Sequence, residues 1–205
     1  MVDLPFPLLS APLTLPTAPD AGVRPARPSD AADIAAVQLA TWQQRYADVL
    51  PPAALDPSTQ QERAAHWSES ITAPPSARHT ILVATSGRLL VGYAVVAPTE
   101  GSAAPQHPPE SGAAADTEPT GTITDLEVHP DATRLGHGSR LLAAAVEHLR
   151  EHAAATVLTW CGTTDVARRT FFESAGLAPD GVRRRLDMGE GTEGIDEVRL
   201  GARLG

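Results

Sequence analysis

Apolar and polar positions along this chain of 205 residues change period several times, and each change marks an element. From Val23 the run V-R-P-A-R-P-S-D-A-A-D-I predicts a short strand entering a helix. Asp30 is its expected N-cap, and Asp33 falls in the first turn, where a carboxylate meets the positive helix end. Ile34, Val37, Thr41 and Tyr46 give that helix a mixed inner face, and Leu50-Pro51-Pro52 stops it. Asp56-Pro57 opens a second helix through about Ile71, with proline at its first position. Residues 80–85 and 88–97 read as strands around a Ser86-Gly87 turn, a hairpin. The β-branched stretch T-I-T-D-L-E-V, residues 122–128, is the next strand. After it Leu141, Leu142, Ala145, Val146 and Leu149 repeat at the spacing of a buried helix face. Residues 156–160 form another strand, and 165–177 a helix with Asp165 as cap and Gly176 as stop. Two final strands follow from Val182. This order predicts an α/β (α+β) domain: a mixed, mostly antiparallel central sheet of six to seven strands with helices on both faces.

Two stretches fall outside that pattern. Residues 1–22 hold five prolines and no basic residue, which reads as a disordered tail rather than a signal peptide. Residues 98–120, rich in Pro, Ala, Ser, Glu and Gly, read as a long flexible insert between two strands. One domain over 23–205 remains.

Composition narrows the partners. Sixteen basic against twenty-five acidic residues give a formal charge of −9, which argues against nucleic acid, since phosphate contacts need a basic face. It suits a cationic or amine partner. Every basic residue is an arginine, so lysine is excluded as a phosphate ligand or covalent acceptor. The single cysteine, Cys161, rules out an internal disulfide and fits a reducing, cytoplasmic setting. No apolar run is long enough for a membrane span. The seven histidines are scattered; His148 and His152 lie four apart without an obvious third ligand, so no metal is expected.

One residue pattern in the central strand carries a structural consequence. Ile123 is out of phase with Leu126 and Val128, and a β-bulge near Thr124-Asp125 restores the alternation. The strand ends at His129-Pro130-Asp131. Arg134-Leu135-Gly136-His137-Gly138-Ser139 then opens the helix, and glycines there bring unpaired first-turn amides close to a phosphate or pyrophosphate.

The succession D-L-x-V-H-P, R-x-G-x-G, S-x-L-L resembles the GNAT N-acetyltransferase superfamily. The segment D-V-A-R-R-T-F-F-E-S-A-G-L, residues 165–177, is similar to a second motif of that family. Trp42, Tyr46, Leu50 and Pro51 resemble the W-x-x-x-Y-x-x-x-L-P first helix of a subgroup with diverse acceptors. The resemblance covers about 23–205 and implies the GNAT fold, acetyl-CoA as co-substrate, and transfer of an acetyl group to a primary amine of a small molecule or peptide. It implies a coenzyme site at Leu126, Val128, Arg134, Leu135, Gly136, His137, Gly138, Ser139, Asp165 and Phe172. The pantetheine arm is expected against the bulged strand, with the thioester carbonyl near the Val128 amide. Trp42, Tyr46 and Trp67 are candidates for the acceptor pocket, with helix–helix packing as the competing role. Homodimer formation is also common in the family.

The chain departs from the family at its acid–base positions. Thr122 and Trp160 stand where two branches carry a glutamate base, and Phe172 stands where the thiolate-protonating tyrosine is usual. Thr133 replaces the Gln or Arg that precedes the first glycine, and Asp165 replaces an asparagine. Asp125 and Glu127 are the remaining candidates for the base, acting through a water, with His129 at the strand end. These losses keep a second reading in play, a non-catalytic acyl-CoA-binding or sensor domain of the same fold.

Overall fold

The computed structural model describes residues 8–9, 21–99, 119–187 and 194–205. Most of the 1–22 tail and nearly all of the 98–120 insert lie outside the described residues. Leu8–Leu9 form a two-residue strand, β1. The chain continues through β2 (Ala21–Pro25), α1 (Ala31–Arg45), α2 (Gln60–Thr72), β3 (Thr80–Ser86), β4 (Leu89–Pro98), β5 (Thr120–Val128), α3 (His137–Glu151), β6 (Thr156–Gly162), α4 (Val166–Ser174), β7 (Ala178–Leu186) and β8 (Ile195–Leu204). The sheet order is β1-β8-β6-β5-β4-β3-β2, with β7 also pairing β8. All pairings are antiparallel except β5 with β6 and β1 with β8. Seven strands and helices on both faces match the expected fold class, and the β1 pair adds an eighth.

Each face buries its own cluster. On one, α3 lays Leu141, Leu142, Ala145, Val146 and Leu149 against Ala94, Val96, Ile123, Leu126 and Val157. Full burial of such side chains contributes about 1.5–3 kcal/mol each before chain entropy is counted. On the other, Ile34, Ala35 and Val37 of α1 and Trp67 of α2 cover Val83 and Tyr93. The strand phase decides the division: Tyr93 and Ala94 are neighbours and point to opposite faces.

Local differences from the sequence reading have local causes. Asp30 stands at the start of α1 but does not cap it. Its carboxylate turns back to the Arg27 amide at 2.7 Å and to Arg24 at 2.6 and 2.8 Å, and these hydrogen bonds hold its pKa below the usual carboxylate value. α1 ends at Arg45, several residues before Pro51. The second helix begins as a 3-10 turn at Pro57–Thr59, capped by the Asp56 side chain on the Ser58 amide.

The bulge is where the phase mismatch places it. Val95 pairs with Asp125 and Val96 with Ile123, so Thr124 is the extra residue.

Candidate active site

The bulge changes which groups of β5 face β6. Thr159 Oγ1 donates to the Ile123 carbonyl at 2.9 Å, so Ile123 faces β6. Beyond the bulge, the His129 amide donates to Val91 of β4 at 2.8 Å. Alternation then turns Glu127 toward β4, and Leu126 and Val128 toward β6. Yet β6 is no longer there to receive them. The β5–β6 ladder stops at Ile123 with Thr159, while β5 stays paired to β4 through Val128 and β6 to β8 through Gly162. The two strands part, leaving an open edge of main-chain groups at Leu126 and Val128.

The loop expected to bind phosphate roofs that gap. Arg134 and Gly136 both take positive φ, 62° and 81°, which turns the chain sharply into α3. No side chain caps this helix end. Arg140 is the first amide to close a main-chain bond onto the turn, to Gly136 at 3.1 Å, so the amides before it have no intrahelical partner. A Cβ built on Gly138 would stand 3.5 Å from the Phe171 ring and 3.8 Å from Val128 Cγ2. Gly138 therefore lies directly over the open edge. Arg134 and Leu135 are exposed beside it. His137 is buried and its Nδ1 has no partner; burial, with Arg140 nearby, lowers its pKa and favours the neutral ring.

On the other side of β5, Glu127 is buried between two arginines. Arg45 Nη1 reaches its carboxylate oxygens at 3.0 and 2.9 Å. Arg168 Nη1 donates to the same carboxylate at 2.9 Å and to the Leu126 carbonyl at 3.0 Å. Asp165 caps α4 through the Arg168 amide at 3.0 Å, and its other oxygen faces Arg45 Nε at 3.4 Å. Asp125 points to the same face as Glu127, and its pKa is raised by burial first and by the Glu127 charge second. Beside them the Tyr93 hydroxyl is buried without a hydrogen-bond partner.

The candidate acceptor aromatics divide. Trp67 is buried, packs edge-on to Tyr93 at 5.1 Å and donates to Gln38 at 3.1 Å; it is core between helix and sheet. Trp42 is half-buried under Arg63. Tyr46, at the end of α1, borders the arginine cluster, and burial holds its phenol above the usual value. Phe172 is fully buried in the core; its neighbour Phe171 is the ring that meets Gly138. The Cys161 thiol is buried and pushed up to about 11, which leaves it protonated and unsuited to nucleophilic work. His129 accepts from the Asp131 amide in the turn after β5.

Past the arginine cluster a cleft of about 640 Å³ opens between residues 48–52, the Thr163-Thr164 turn and the β7–β8 end at Arg185 and Ile195. Sequence reasoning missed both this cleft and the Arg45–Glu127–Arg168 group.

The model of the Acetyltransferase (GNAT) family aligns with residues 38–177. The chain belongs to the GNAT acetyltransferase family. Among curated proteins, none matches the sequence. Solved GNAT structures share the fold across their full length. The ribosomal-protein-alanine N-acetyltransferase of Brucella melitensis is 18% identical, with 89% of this chain and 99% of that one covered and a TM-score of 0.64. The PaiA N-acetyltransferase of Thermoplasma acidophilum, in complex with coenzyme A, is 13% identical, with 89% and 98% covered and a TM-score of 0.64. The yncA protein of Salmonella typhimurium, with its cofactor acetyl-CoA, is 15% identical, with 91% and 95% covered and a TM-score of 0.62. No described helix of this GNAT chain is long and apolar enough to cross a membrane.

Proposed function

We propose that this GNAT protein transfers the acetyl group of acetyl-CoA to a primary amine of a small molecule or peptide by direct attack. The observation that carries the reading is the parted β5–β6 edge beneath an uncapped helix start, with Gly138 over Val128. Such an edge takes an extended arm by main-chain hydrogen bonds, and the helix start takes its phosphates. When bound, acetyl-CoA supplies a thioester carbonyl open to an amine.

The chain's own groups then divide the work. The Val128 amide is placed to donate to the carbonyl oxygen as negative charge develops there. Asp125 is the general base. Glu127 already accepts from two guanidinium groups, so its lone pairs are engaged, whereas burial raises the Asp125 pKa above its ordinary value. A water carries the proton from the arriving ammonium to Asp125. Glu127 is a positioning residue that holds Arg45 and Arg168 at the gap. Phe172 offers no proton to the departing thiolate, so solvent supplies it. The acceptor enters through the cleft beside residues 48–52, where Asp48 offers a carboxylate to a cation and Asp196 is paired with Arg185 at 3.2 Å.

A second reading, an acyl-CoA-binding domain without turnover, is favoured by two facts: the buried Phe172 and the Arg168 donor already sitting on the Leu126 carbonyl. Release of free thiol from acetyl-CoA against a panel of amines separates the two. Turnover lost in Asp125→Asn supports the enzyme; tight coenzyme binding with no turnover across the panel supports the sensor.

A further inference from the structure

The C-terminal end of α3 lies roughly 17 Å along the helix from the phosphate loop, at 1.5 Å per residue. There His148, Glu151 and His152 stand at i, i+3 and i+4, which one helix face brings together. One ligand atom from each lies within 4.8 Å of the others. The two imidazole rings are 4.3 Å apart, tilted by 40°.

Their hydrogen bonds set the tautomers. His148 Nε2 lies 3.2 Å from the Arg78 carbonyl, and His152 Nδ1 lies 2.9 Å from the His148 carbonyl. A carbonyl oxygen only accepts, so each of these nitrogens carries the proton. The remaining nitrogens, His148 Nδ1 and His152 Nε2, are left with lone pairs. Metal-bound histidines are held in this way, with the second ring N–H given to a carbonyl. Glu151 is exposed and free to swing.

We propose that His148, Glu151 and His152 form a binding site for a transition-metal dication of the zinc, nickel or copper class. Two imidazoles and one carboxylate suit these ions better than magnesium or calcium, which prefer all-oxygen sets. Tetrahedral bonds of about 2.0–2.1 Å need ligand atoms about 3.4 Å apart, a contraction that rotation of Glu151 and the rings supplies. Three protein ligands leave a fourth position for water. The His148 hydrogen bond ties the site to the loop before β3, so an occupied site fastens the end of α3 to that loop. The spacing of the two histidines alone pointed to surface residues; Glu151 completes the set.

The test uses the full chain, stripped by chelator, titrated calorimetrically with Zn²⁺ at pH 7. One equivalent should bind saturably and raise the Tm. His148→Ala/His152→Ala should weaken binding at least about 100-fold and Glu151→Gln about tenfold, with coenzyme A affinity unchanged in each. His152→Gln keeps a donor for the His148 carbonyl and serves if the double variant fails to fold; its Zn²⁺ affinity should also fall at least about tenfold. Absence of a saturable equivalent, or wild-type Zn²⁺ affinity in the variants, would overturn the site.

Discussion

The two edges of β5 belong to one strand and meet different fates. Toward β4 the strand is paired from Gly121 to Val128; toward β6 it is paired only from Thr120 to Ile123. The paired edge is packed to the limit. A Cβ on Gly92 would stand 2.7 Å from the Glu127 carbonyl and 3.2 Å from Leu141. The open edge has room, with only ordinary contacts around Gly138. One inserted residue, Thr124, produces the difference. A single bulge turns half of a structural strand into a binding edge, while the other half keeps the sheet intact.

The largest expected effect lies at the buried carboxylate face of β5. Asp125→Asn should lower kcat by about 10²–10⁴-fold, the usual contribution of acid–base help, with the KM for acetyl-CoA unchanged. In the wild type, kcat should rise with pH along a limb displaced above the ordinary carboxylate value, because Asp125 must lose its proton to act. The stability effect has the opposite sign. A raised folded-state pKa means that ionising Asp125 costs stability as pH climbs from the ordinary value of 3.8 through the raised one. Asp125→Asn should therefore stabilise the fold at pH 7 and lose that benefit below 3.8, as urea melts at the two pH values would show.

Glu127→Gln should act first on the fold. Removing the carboxylate leaves Arg168 buried without its counter-charge, at a cost of about 3 kcal/mol by denaturant unfolding. A stable Glu127→Gln variant with abolished turnover would instead make Glu127 the base.

A matched pair sharpens the contrast between the edges. Gly92→Ala should cost about 1–3 kcal/mol by overpacking, whereas Gly138→Ala should be neutral or stabilise by up to about 1 kcal/mol, the helical gain of alanine over glycine. Equal Tm shifts would mean that the two edges are not packed differently.

Phe172→Tyr acts on the core beside the gap. The added hydroxyl enters a fully buried position beside Phe171, at a cost of about 1–3 kcal/mol if it finds no partner. A smaller cost together with faster turnover would show that it reaches the gap after all.

What was legible in the sequence was local. The phase slip between Ile123 and Leu126 gave the bulge, and glycines before an amphipathic run gave the uncapped helix start. What was not legible depends on residues far apart in the chain. Arg45, Glu127 and Arg168 come from three elements, and each alone reads as a solvated charge. Phe171 and Phe172 differ by 100° around α4, a distinction that motif matching does not make but packing does. Trp67 and Tyr46 share aromatic character, yet only the sheet beneath them decides that one is core and the other borders the site.

Coenzyme A titration into the wild type, Gly138→Ala and Gly138→Asp tests the central claim most directly. The account predicts similar affinity for the first two and a loss of at least about 100-fold, or about 2.7 kcal/mol, for the aspartate, whose charge would face the diphosphate over Val128. Wild-type affinity in Gly138→Asp, with the fold intact, would contradict it.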